Sequence, residues 1–307
     1  MLTIPETDLV VHPLCLGGNV FGWTADEAQS HAVLSAYASH GGNFIDSADV
    51  YSEWKDGNKG GESEEIIGTW LKSQAREKFV IATKVAKLST RPGLRPENII
   101  AACNESLERL QTDYIDIYYS HHDDAEVPIA ETLGAYAQLI SEGKIRYIAA
   151  SQYTGARLQE ALNISREQGL PSYIALQDQY NLMERNPFES EQAEVLAANG
   201  LSGLTFFSLA RGFLSGKYRQ GVSVDSPRAD SVGEYQTDKG WAVVAALDEI
   251  AQSHNSSVSA IALAWLRANP QVSTPIASAR TVEQLNEIIQ VVDLSSDEIA
   301  SLNSVSA

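Results

Sequence analysis

The chain has 307 residues, 44% of them hydrophobic and 20% charged, the ordinary make-up of a globular protein with a large buried core. Its formal net charge of -18 argues against nucleic acid or an anionic membrane as the main partner, so no nucleic acid and no membrane are expected. No apolar run is long enough to span a bilayer and no leader or lipidation motif is found, which makes cytoplasm the expected location.

Taken in order, the residues from Leu2 to Gly18 hold strand-like runs broken by PETD, which predicts a short hairpin before a first barrel strand at Pro13–Leu16. Cys15 in PLCLGG and Cys103 in a helical run read as small core residues rather than redox groups. Thr24-Ala-Asp-Glu27 has the form of a capping box opening a helix to about His40, and Gly41-Gly42 closes it. The apolar strand of FIDSADVY follows, then a charged, glycine-rich loop from Glu53 to Gly61 and a helix through EEIIGTWLKS. Strands are predicted at Phe79–Lys84, Tyr114–Tyr119, Ile145–Ala150, Tyr173–Leu176, Leu204–Phe207 and Val272–Ala277. Helices are predicted between them, over Pro96–Leu110, Ile129–Glu142, Thr154–Gln168, Glu189–Ala198, Trp241–Ser253 and Val258–Ala268, with two more from Thr281 and Ser295. Arg211–Lys239, which includes VDSPRADSVG, shows no clear period. About eight strand–helix units without a composition break predict a single α/β domain over 1–307, a (β/α)8 TIM barrel. A doubly wound dinucleotide fold is disfavoured, because GGNVFGWTAD does not supply its glycine fingerprint.

The strand ends carry the chemistry. FIDSADVY closes on Asp46 and reaches Tyr51, FVIATK closes on Lys84, and YIDIYYSHH closes on His121 and His122. A barrel brings all C-terminal strand ends to one face, so these groups converge there. A phenol with a pKa of about 10 is a poor acid-base group at neutral pH. A nearby ammonium favours the phenolate and lowers that pKa, and a carboxylate can hold the ammonium in place. A histidine beside the phenol can orient a carbonyl oxygen.

These segments resemble the aldo-keto reductase superfamily over nearly the whole chain. FIDSADVY is similar to F-D-T-A-x-x-Y, FVIATK to the segment ending in the family's lysine, and DIYYSHH to D-L-Y-x-x-H. The resemblance implies Asp46, Tyr51, Lys84 and His121 as a catalytic tetrad that reduces a small-molecule aldehyde or ketone with NADPH, NADH being the alternative cofactor. It places Gly18 and Asn19 near the cofactor. AASQY is similar to G-x-S-N, which implies Ser151 and Gln152 as carboxamide partners, with Gln152 in place of the usual asparagine. QDQYN implies Gln177 as another. FFSLARGFLSGKYR is similar to Y-S-P-L-x-x-G-x-L-x-G-K-Y; this implies Phe206 stacked on the nicotinamide and a wrap from Leu209 through Gly212 to Lys217. PIASARTVEQLNEII implies Arg280 at the 2′-phosphate, with Gln284 and Glu287 near the adenine. Ile288 departs from the family's usual asparagine.

Substrate specificity in such barrels lies in the loops, so Trp23, Trp54 and His122 are candidate pocket residues. Two rivals follow from the same residues. A metal-dependent barrel could use His121, His122, Asp123, Asp124 and Asp46, but consecutive strand residues point to opposite faces and an H-x-H pair is missing, so no metal is expected. A cofactor-binding regulatory subunit of the potassium-channel type shares the resemblance, and the acidic net charge speaks against it.

Overall fold

The computed structural model describes residues 1–224 and 230–307. The predicted aperiodic stretch VDSPRADSVG lies partly outside these, at 225–229. Eight parallel strands close a barrel in chain order: β3 (Cys15–Gly17), β4 (Phe44–Asp46), β5 (Val80–Val85), β6 (Ile115–Ser120), β7 (Ile145–Ser151), β8 (Tyr173–Gln179), β9 (Ser202–Phe206) and β10 (Val272–Ala277), the last pairing with β3. Before them, β1 (Leu2–Thr3) and β2 (Val10–Val11) form an antiparallel hairpin with Leu2 opposite Val11. The helices are α1 (Glu27–Ser39), α2 (Glu62–Leu71), α3 (Pro96–Leu110), α4 (Ile129–Ser141), α5 (Gly155–Gln168), α6 (Ala193–Asn199), α7 (Asp238–Ser253), α8 (Val258–Arg267), α9 (Val282–Ile288) and α10 (Ser296–Val305). The fold is thus the expected (β/α)8 barrel with an N-terminal hairpin.

Alternation along the strands sorts the residues into two layers. Phe44, Val80, Ala82, Ile117, Tyr119, Ala149, Ala175 and Leu204 pack inside the barrel. Ile4, Leu9 and Val11 of the hairpin region join that cluster and plug its N-terminal end. Ile45, Ile81, Tyr118, Ile148 and Leu176 face the helices and form the larger core with Val33, Ile67, Ile99 and Leu133.

Several boundaries differ from the sequence reading. The first barrel strand is Cys15–Gly17, later than Pro13–Leu16, because Gly17 pairs with Asp46. Helix α1 is capped by Asp26 with Gln29, not by Thr24 with Glu27. The N–H groups of Thr24 and Ala25 both donate to Val20 O at 3.0 Å, so the chain is still turning there. Ser202 and Gly203 are weak strand formers, yet pairing with Ala175 and Leu176 makes them part of β9. The expected helix from Glu189 opens with a π turn, Phe188–Gln192, before α6. A short 3-10 segment, Ala210–Ser215, overlaps the start of Arg211–Lys239, and a second, Asp230–Tyr235, lies within it.

Candidate active site

Inward positions at the strand C-termini carry polar groups in place of the apolar ones below them. Asp46 follows Phe44 by two on β4, Lys84 follows Ala82 on β5, and His121 follows Tyr119 just past β6. Period two therefore places all three on the barrel axis, and it turns His122 away from it. Lys84 is fully buried and Asp46 nearly so. The Lys84 ammonium donates to Asp46 Oδ2 at 2.6 Å, to Ser47 O at 2.6 Å and to the Tyr51 hydroxyl at 2.9 Å. The Tyr51 hydroxyl donates to Asp46 Oδ2 at 3.2 Å, and the Gln177 amide donates to Asp46 Oδ1 at 2.9 Å. All three of lysine's protons are thereby used, so the ammonium is fixed in position. The His121 ring meets the Tyr51 ring edge-on, with centroids 6.0 Å apart.

Protonation states follow from burial. Burial of the phenol, with the Asp46 carboxylate adding, pushes the Tyr51 pKa well above its usual value. This corrects the expectation that the ammonium would lower it: the neighbouring carboxylate and the loss of water outweigh Lys84. Burial pulls His121 well below the usual imidazole value, helped by Lys84 and Lys87, so the ring is neutral at neutral pH. Its Nδ1 has no hydrogen-bond partner among the described residues, and neither has Ser151 Oγ.

Above these groups opens a cleft of about 1110 Å³. Asp46, Tyr51 and His121 reach it, while Lys84 lies beneath Tyr51. Asn19, Ser151, Gln152, Gln177, Phe206, Leu209, Gly212, Lys217, Arg280, Gln284 and Glu287 line it, as do Trp23 and Trp54. The two tryptophans meet edge-on, centroids 5.6 Å apart, and Trp54 also touches the Tyr51 ring at 6.1 Å. The chain around Phe207, Ala210 and Arg211 takes positive φ of 46 to 55°, which folds the segment after β9 tightly over the cleft.

A sequence profile described as the Aldo/keto reductase family matches residues 13–307. The chain belongs to the aldo/keto reductase family. It is 34% identical to Protein tas of Escherichia coli, covering 98% of this chain and 96% of that protein. It is 32% identical to a Bacillus subtilis protein named uncharacterized oxidoreductase YrpG, covering 95% and 91%. It is 30% identical to a probable voltage-gated potassium channel subunit beta of Arabidopsis thaliana, covering 94% and 90%.

Aldo/keto reductases generally use a nicotinamide dinucleotide. The cleft fits one in chemistry: a buried hydroxyl without a partner at Ser151, two amides at Gln152 and Gln177, an aromatic ring at Phe206, and cations at Lys217 and Arg280. Two residues assigned from sequence stand elsewhere. Gly18 does not line the cleft. Its neighbour Gly17 does, and a Cβ on Gly18 would lie 2.7 Å from Ser63 Oγ, so Gly18 serves the packing of α2 against the barrel. His122 does not line the cleft, and its Nδ1 contacts Asp123 O. Among the described residues no three His, Cys, Asp or Glu side chains gather as a metal site.

The sequence reading missed three contributions. Ser256, Ser257, Val258 and Ser259, at the start of α8, line the cleft opposite α9. Ser257 caps α8 and its hydroxyl donates to Glu287 O at 2.6 Å, tying the two walls together. The run HNSSVSA carries a cap signal, but nothing in it tells what the cap faces. Lys87 lines the cleft three residues past Lys84. Below the site, Glu64 bonds Thr83 at 2.5 Å and Arg109 at 2.7 Å, and Asp49 lies buried in the same electrostatic cluster.

Proposed function

We propose that the protein is an NADPH-dependent reductase of aldehydes and ketones, one barrel domain over residues 1–307, with Tyr51 as the proton donor. The observation that carries this reading is the Tyr51 hydroxyl at the cleft floor, held between Lys84 at 2.9 Å and Asp46 at 3.2 Å with His121 alongside. When bound, the reduced nicotinamide supplies a hydride to the carbonyl carbon.

The chain's own groups handle the proton and the charge. A raised pKa keeps the Tyr51 phenol loaded at neutral pH. Its 3.2 Å bond to Asp46 is long and easily exchanged for one to a carbonyl oxygen. As the carbon–oxygen π pair moves onto oxygen, the phenolic proton follows it, and alcohol forms. The phenolate left behind lies 2.9 Å from the Lys84 ammonium, whose positive charge stabilises it until solvent returns a proton. Neutral His121 positions the carbonyl without competing for that proton. Ser151, Gln152 and Gln177 hold the carboxamide, Phe206 stacks on the ring, Leu209 to Lys217 wraps the pyrophosphate, and Asn19, Gln284 and Glu287 complete the cofactor's surroundings.

Arg280 is the partner of the 2′-phosphate. Its guanidinium makes no hydrogen bond or ion pair among the described residues, while its backbone N–H donates to Gln284 Oε1 at 2.9 Å. A charge-assisted contact of this kind contributes roughly 1.5–3 kcal/mol, so NADPH should be preferred over NADH by about ten- to a hundredfold.

The names of the potassium-channel relatives favour a second reading, a cofactor-binding regulatory subunit. Purified protein is assayed with aldehydes, ketones and keto-sugars, using NADPH and NADH in parallel. Steady turnover with NADPH is the expected result. Tight dinucleotide binding with negligible turnover on every carbonyl compound would replace the reductase reading with the regulatory one.

A further inference from the structure

Four cations line the cleft, Lys87, Arg211, Lys217 and Arg280, against two carboxylates, Asp46 and Glu287. This local excess of positive charge stands in a chain of net charge -18. Arg280 and Lys217 belong to the cofactor's part of the cleft, and Arg211 is paired with Glu234 at 2.7 Å. Lys87 has no such role. It follows β5, on which Lys84 sits, and the residue between β5 and Lys87 is strained: Ala86 takes φ 113, where non-glycine residues are rarely found. That turn, closed by the Gly93 N–H donating to Ala86 O at 2.9 Å, leaves Lys87 half-buried on the cleft wall, within electrostatic reach of His121.

The Lys87 ammonium makes no hydrogen bond or ion pair among the described residues. The carboxylate nearest in effect is Asp178, already engaged by the Gln179 N–H at 2.7 Å and the Gln192 amide at 2.5 Å. Burial lowers the Lys87 pKa, and Lys84 adds to that. A cation partly stripped of water and short of a partner is poised to take an anion, and the gain is larger there than at an exposed lysine. Trp23 and Trp54 supply an apolar wall for the rest of the ligand.

We propose that Lys87 selects carbonyl substrates that carry a carboxylate or phosphate, binding the anionic group while the carbonyl oxygen rests at Tyr51 and His121. This rests on the reductase reading above. Lys87 is then a specificity residue: it meets the anionic group of the substrate and gives no proton in the reduction.

The test compares 4-carboxybenzaldehyde with its neutral isostere 4-formylbenzamide in the wild type, Lys87→Met and Lys87→Arg. The wild type should favour the acid in kcat/KM by about tenfold or more, through KM. Lys87→Met should bring the ratio close to one, and Lys87→Arg should restore most of it. A wild-type ratio near one, an unchanged ratio in Lys87→Met, or a Lys87→Met defect seen only in dinucleotide affinity would overturn the proposal. If neither aldehyde is turned over, calorimetric binding of benzoate and benzamide still decides the role of Lys87, while the reductase reading is judged by the wider carbonyl screen. Benzoate bound about tenfold tighter by the wild type and not by Lys87→Met supports the anion site; equal binding of both ligands refutes it.

Discussion

Asp49 is buried three residues beyond Asp46, and its Oδ1 has no hydrogen-bond partner among the described residues. Burial, with the Glu64 carboxylate adding, raises its pKa from 3.8 to about 8, against a smaller opposing pull from Arg109. Between these values the native state keeps a proton that the unfolded chain releases, so the stabilisation is complete below about pH 4 and is lost as pH rises through about 8. Asparagine has nearly the same shape and does not ionise. Asp49→Asn should therefore be the more stable protein, by a margin that grows from about pH 5 to about pH 8. Urea denaturation at both pH values checks this, and a margin that stays constant or shrinks refutes it. Asp49 was visible in FIDSADVY, but its burial was not, because the shared partners Glu64 and Arg109 come from two later helices.

The elements around the site show what short-range pattern can and cannot specify. Period two along β4, β5 and β6 places Asp46, Lys84 and His121 inside and His122 outside, and that much is in the sequence. The start of α1 is ambiguous at the same range, since T-x-x-E and D-x-x-Q overlap; the turn around Val20 decides for Asp26. Lys87 was not legible because its direction depends on the φ of Ala86, which no residue type announces. The turn between β10 and α9 carries the cofactor prediction. Thr281 caps α9 by accepting from the Gln284 N–H, and the Gln284 side chain in turn holds the Arg280 backbone. Arg280→Ala keeps that frame and removes only the guanidinium. NADPH affinity should fall by about tenfold or more while NADH affinity barely moves. Fluorescence titration of both cofactors reads this, and an equal loss for both would place the arginine's role elsewhere.

Across the molecule, the barrel divides its labour between two ends. The N-terminal end is closed by an apolar plug in which Ile4, Leu9 and Val11 are almost fully buried. The C-terminal end holds the polar cluster and the cleft. Leu9→Ala leaves a cavity in the plug and should cost about 2–4 kcal/mol of unfolding free energy. Turnover should stay within about twofold of wild type below the melting range, because the plug lies at the far end of the strands from Tyr51. Denaturant titration beside steady-state kinetics tests the division, and a large loss of kcat in a folded Leu9→Ala protein would contradict it. The strand–helix alternation that makes this architecture was fully legible, since each unit is local. The walls of the cleft were legible where they resemble the family and at Trp23 and Trp54, which the loops suggested. The pairing of Ser257 with Glu287, from separate helices, depends on packing that no local pattern encodes.

The central claim is that Tyr51 gives up the proton in carbonyl reduction. It is tested by single-turnover hydride transfer from NADPH to a good aldehyde substrate in wild type and Tyr51→Phe, with NADPH affinity titrated on the same samples. Phenylalanine keeps the ring against His121 and Trp54 and deletes only the hydroxyl. The rate should fall by about a hundredfold to ten-thousandfold while NADPH affinity changes by no more than about twofold. A Tyr51→Phe protein that transfers hydride at near wild-type rate would contradict the assignment.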